Sequence, residues 1–206
     1  MIVDVTYNNM TFQESVVDCI RRVDAIIHEA EMGVMIDKYM YLQENGVVLE
    51  GDQAKTSIRN RIRSMVDGVV RAFINFIESV KKKLIGRFNA IKAKHDQRKA
   101  AKIDKVAKKT AKTFDRVSNE FSDEMNGLYN AINLDDEDDF NKVTDRIKER
   151  HNVFTNVVNQ TYHNIMNNQR KISDNEIVID AMSKVISKEL DDLMNDLTKD
   201  GYINSK

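Results

Sequence analysis

Proline is missing from all 206 residues, tryptophan is missing too, and the chain holds only seven glycines and one cysteine. With no proline, no position is barred from a helix by a locked φ or a lost amide, so long uninterrupted helices are expected. The lone Cys19 excludes an internal disulfide and a multi-cysteine zinc site, and its core-like helical position reads as a small buried hydrophobe. The scarce glycines form neither a phosphate-cradling loop nor a serine-nucleophile elbow, and no Cys-x-x-Cys pair exists. The long stretch Asn152 to Gln169, free of Asp, Glu, Lys and Arg, contains six Asn and two Gln, so it will not span a bilayer. Asp4 and the polar run Thr6 to Asn9 interrupt the apolar start, and no signal peptide is expected.

What is present is helix-forming and highly charged. Apolar residues make up 41%, charged residues 32%, and the mean hydropathy is -0.52, which implies a thin core under a large solvated surface. Ile, Lys and Asn number 20 each against 8 Leu, a bias of A/T-rich codons that points to a low-GC bacterium or its phage. The organising stretch is Asp52 to about Ile91. Large apolar residues recur at Ile58, Ile62, Met65, Val69, Phe73, Phe76, Val80, Leu84, Phe88 and Ile91, opposite a polar stripe at the same period, so one face must be buried. The repeat is 11 residues long, which favours a straight or slightly right-handed bundle. Ile62, Met65, Val69, Phe73, Phe76, Val80, Leu84 and Phe88 are the expected helix-packing and self-association residues.

Periodicity lapses from Lys92 to Lys102 and resumes at Ile103, Val106, Thr110, Phe114, Val117, Phe121, Met125, Leu128 and Ile132. Neither Gly nor Pro falls between Arg87 and Asn126, so one continuous helix from Asp52 to Asn133, about 120 Å long, is expected, with a bend in the basic stretch as the alternative. Before it, Met1 to Val5 reads as a short strand or extended arm. Thr11-Phe12-Gln13-Glu14 is a capping box from which a first helix starts. Asn45-Gly46 and Gly51-Asp52 bracket an apolar plug, Val47-Val48-Leu49. After it come an acidic turn at Asn133 to Asp139, a helix through Ile165, a capping box at Ser173 to Glu176 and a last helix stopped by Gly201, with a frayed tail from Tyr202. The predicted fold is therefore all-α, an elongated coiled-coil-like bundle. Its parts are an arm and helix (1–51), a very long central helix with a basic middle (52–133) and an acidic helical hairpin (134–206).

Net charge is -1, yet residues 81–112 carry 13 Lys and Arg against 2 Asp and Glu, between two acidic arms. Lys81, Lys82, Lys83, Arg87, Lys92, Lys94, Arg98, Lys99, Lys102 and Lys105 are the candidate polyanion-binding residues. Three readings fit them: a solvated helix meeting acidic segments, a nucleic-acid backbone site, or a contact with an anionic membrane surface. No base-reading motif is present, and no aromatics interleave for strand stacking. The run Asp135 to Asp139 fails as an EF-hand loop, because Phe140 and Arg146 stand where Gly and Glu are required. His28, His95, His151 and His163 are too scattered for metal-ligand spacing. No cofactor, metal or small-molecule substrate is expected, and no enzyme.

The segment RSMVDGVVRAFINFIESVKKKLIGRF (Arg63 to Phe88), taken with the basic centre and composition, resembles amphipathic segments of helical virion, internal-head and scaffolding proteins of tailed phages. That resemblance implies a non-enzymatic assembly role, repeated copies, contacts with other virion proteins or packaged DNA, and a place in the virion or host cytoplasm. The residues alone also allow a membrane-surface protein that uses the same apolar face.

Overall fold

Among the described residues the amphipathic segments form five helices: α1 (Ile2–Asn45), α2 (Asp52–Lys92), α3 (Gln97–Ala131), α4 (Glu137–Asn167) and α5 (Ile172–Lys199). They come from a computed structural model that describes residues 2–46, 52–134, 136–167 and 172–203, with the backbone alone for 2–14, 52 and 173. The chain is all-α, and successive helices run up and down. Lys92 meets Asp104 and Phe73 meets Phe121, so α2 and α3 are antiparallel. Lys109 meets Asp180 and Glu120 meets Ser187, so α3 and α5 are parallel. Helices α2, α3, α5 and α4 close a four-helix ring, and α1 lies along the outer groove between α2 and α4.

This arrangement corrects the expected single central helix. The chain turns back at residues 93–96, and what reads as one rod from 52 to 133 is a hairpin. Each half presents an apolar seam, and folding back lets the two seams bury one another, which a straight rod cannot do. Asp96 makes the break: its backbone is extended, and its carboxylate accepts from the Lys99 amide at 3.0 Å as an N-cap. The α2 seam is enclosed within the chain, with Ile62, Val69, Phe73, Val80, Leu84 and Phe88 at 0%, Met65 at 1% and Phe76 at 5% exposure. Phe73, Phe121 and Phe154, from α2, α3 and α4, form the central aromatic layer, with centroids 4.4 to 5.8 Å apart. Each such burial is worth about 1.5 to 3 kcal/mol.

Two terminal expectations also change. Residues 2–5 are helical rather than a strand or arm, so α1 begins well before Thr11, and the capping box lies within helix. Tyr202 and Ile203 are docked, not frayed. Gly201, at φ 83°, reverses the chain, the Asn133 amide donates to the Tyr202 carbonyl at 2.8 Å, and Ile203 is buried beside Ile132. The acidic turn opens α4, where Asp136 accepts from the Asp139 amide at 2.9 Å and Glu137, Asp138 and Asp139 lie in the first turn. The plug at 47–49, Gly51, Asp135, the side chains of Thr11, Glu14 and Ser173, and residues 204–206 lie outside the described residues.

Candidate polyanion-binding tip

The hairpin turn gathers the basic block at one end of the bundle. The α2 helix closes through Ala93, Lys94 and His95, whose amides donate to the Asn89, Ile91 and Lys92 carbonyls. Asp96 then starts α3, its carboxyl held below the usual range first by the Lys99 amide. Beyond Ile91 and before Ile103 the chain has no large apolar side chain to bury, and Lys94, Arg98, Lys99 and Lys102 are exposed.

The ten candidate cations separate into three groups. Lys81 and Lys92 are engaged: Lys81 with Glu78 and with Asp115 at 2.7 Å, Lys92 with Asp104 at 2.6 Å. Asp104 also takes Lys108 at 2.9 Å, and the two ammonium groups, Lys92 first, bring its carboxyl to about 2. Lys83 and Arg87 are half-buried, and desolvation lowers the pKa of both; the Arg87 guanidinium rests against the Met166 sulfur at 3.7 Å. Lys82, Lys94, Arg98, Lys99, Lys102 and Lys105 are exposed, and none has an ion-pair partner among the described residues. Exposed Lys112 joins them, whereas Lys109 is turned to Asp180 and Glu176 of α5. Arg98, Lys102, Lys105 and Lys112 recur at helical spacing along one exposed flank of α3, with Lys109 between them turned to α5, a stripe about 21 Å long. Chemically it offers point charges one or two turns apart, suited to a row of phosphates rather than to one small anion.

A second polar site was hidden from the sequence because it joins residues distant along the chain. Cys19 of α1 and His151 of α4 meet in the core, Sγ to Nε2 at 3.7 Å, with the thiol donating to the Ala72 carbonyl at 3.7 Å. Thr155 Oγ1 lies 3.5 Å from the same imidazole nitrogen, and His151 Nδ1 has no hydrogen-bond partner among the described residues. Burial pushes the thiol up to about 11 and the imidazole down to about 4. Both are therefore neutral near pH 7, the reverse of the thiolate–imidazolium pair that activates a nucleophilic cysteine. The one sequence signal was that Cys19 and His151 each fall on the apolar face of their helix.

Among the described residues no three His, Cys, Asp or Glu side chains converge as a metal site, and no helix is long and apolar enough to cross a membrane. The chain matches no protein-family model, no curated protein and no solved structure. The class is thus defined by the fold and the charge layout: an all-α five-helix bundle with a cationic hairpin tip.

Proposed function

We propose that the chain is a non-enzymatic structural protein, a virion or head-assembly component, that holds a nucleic-acid backbone against the tip of its α2–α3 hairpin. It works in the virion or the host cytoplasm, among other structural proteins. The observation that carries this reading is the set of exposed cations from Lys94 to Lys105, without carboxylate partners among the described residues in a chain that otherwise pairs many of its charges across helices. The rival reading, a membrane-surface protein, needs the broad apolar face of α2. That face is enclosed by α1, α3 and α4, which favours the phosphate backbone over the bilayer.

The test is fluorescence anisotropy of two duplex DNAs of unrelated sequence, titrated with the full chain over a range of salt. Equal affinities are expected. Each phosphate contact contributes a log–log salt slope of about -0.9, so four or five contacts weaken binding on the order of 10²-fold between about 50 and 200 mM salt. Salt-insensitive binding, or none at low salt, removes nucleic acid from the partners.

A further inference from the structure

The α2 seam is spent inside the chain, but α1 keeps an apolar stripe in water. Met32, Ile36, Tyr39 and Met40 are 38, 47, 61 and 55% exposed. They recur at the spacing of one helix face, opposite Val23, Ile27, Ala30 and Val34, which are buried under α1. A contiguous exposed patch of this kind marks a contact site more often than chance exposure does. We infer that this stripe is the contact by which two copies of the chain pair antiparallel, α1 against α1.

Charge identifies the occupant. Arg21 and Arg22 stand at one end of the stripe and Glu44 at the other; all three are exposed, and none has an ion-pair partner among the described residues. Arg22 and Glu44 are 22 residues apart, about six helical turns, and so lie on the same flank. An antiparallel pair with its twofold at Met32 sets Arg22 of each copy two residues, about 3 Å, from level with Glu44 of the other, within reach of both side chains. It also sets Tyr39 over the exposed Ala25, the smallest side chain on the stripe, and Met32 against its counterpart. A surface complementary to itself in both charge and size is what a twofold interface requires. An anionic bilayer fits worse: Glu29, Asp37 and Glu44 border the patch, and the Lys38 ammonium is held by Glu137 at 3.1 Å. Arg22 to Glu44 spans about 33 Å, a contact at the small end of stable interfaces, so the dimer dissociates in the micromolar range.

The pairing goes beyond the nucleic-acid reading and is tested without nucleic acid. Sedimentation of the full chain from about 1 to 200 µM, a range that brackets micromolar dissociation, is expected to show a monomer–dimer equilibrium. Ile36→Asp weakens it at least tenfold, whereas Ile177→Asp, at an exposed apolar residue of α5, leaves it unchanged. Both sites are exposed, so circular dichroism stays that of the parent. Arg22→Glu and Glu44→Arg each weaken pairing, and together they restore it. A monomer at every concentration overturns the inference, and one that floats with anionic vesicles assigns the stripe to lipid instead. A dimer indifferent to Ile36→Asp, or a double charge swap without rescue, overturns this geometry.

Discussion

The two ends of the bundle use the same side chains differently. Away from the tip, many cations are matched across helices. Arg61 of α2 lies fork-on to Asp37 of α1 at 2.8 and 3.1 Å, Lys148 of α4 reaches Asp24 of α1 at 3.3 Å, and Arg150 bridges Glu189 and Asp196 of α5. At the tip, Lys94, Arg98, Lys99, Lys102 and Lys105 are exposed and have no ion-pair partner among the described residues. Pairs form where helices run side by side and offer carboxylates within reach, as α5 does for Lys109, whereas the cations of α3 before it, from Arg98 to Lys105, have no such partner among the described residues. Counting cations therefore overstates a site; what locates it is the set left unmatched.

The comparison breaks most severely if the common core is removed. Phe73→Ala empties the aromatic layer and should cost about 3 to 5 kcal/mol, melting both ends together. Chemical denaturation followed by circular dichroism measures this, and a loss under about 1 kcal/mol would mean that the layer is not the shared core. The next effect is acid. His151 is neutral when folded down to pH about 4, while the unfolded imidazole takes a proton near 6.5. Below the unfolded value the unfolded state binds more protons, so stability present above pH 6.5 is lost as pH falls toward 4. By pH 4.5 that loss is about 2 to 3 kcal/mol, and it should be absent in His151→Gln when the two proteins are compared at pH 7 and 4.5. Matching pH profiles would show that His151 is not the titrating group.

Much of this architecture could be read from periodicity. The steps of three and four from Ile58 to Phe88 and from Ile103 to Ile132 identify residues that are now buried, and Ile91 is half-buried, because helical burial depends on local spacing. The hairpin turn could not be read so directly. Nothing in Lys92 to Lys102 forbids a helix, and the break uses Asp96 in an ordinary extended conformation, with no glycine or proline. The lapse in apolar periodicity was its trace. Contacts between distant residues, such as Cys19 with His151 or Asn133 with Tyr202, leave no local mark. The pairing state of each lysine depends on which helix lies beside it, so ten candidate cations could be named from sequence but not divided into paired, half-buried and free.

The smallest stability effects give the sharpest contrast between the ends. Arg61→Ala removes a bidentate pair that also holds the Ser57 hydroxyl against Asp37 at 2.6 Å, but both partners are partly exposed, so solvent limits the loss to about 1 kcal/mol. Lys102→Ala and Lys105→Ala remove no ion pair among the described residues, so each should change stability by under about 0.5 kcal/mol. On duplex DNA the order inverts. Each lysine substitution should weaken binding uniformly across sequences and reduce the salt slope by about 1, whereas Arg61→Ala, at the far end, should leave both unchanged. The cost of removing a charge from a folded chain reflects the partner it had there, while its value to a polyanion depends on having had none. If Arg61→Ala and Lys102→Ala moved stability and salt slope alike, the distinction between matched and unmatched cations would fail, and with it the placement of the binding surface at the hairpin tip.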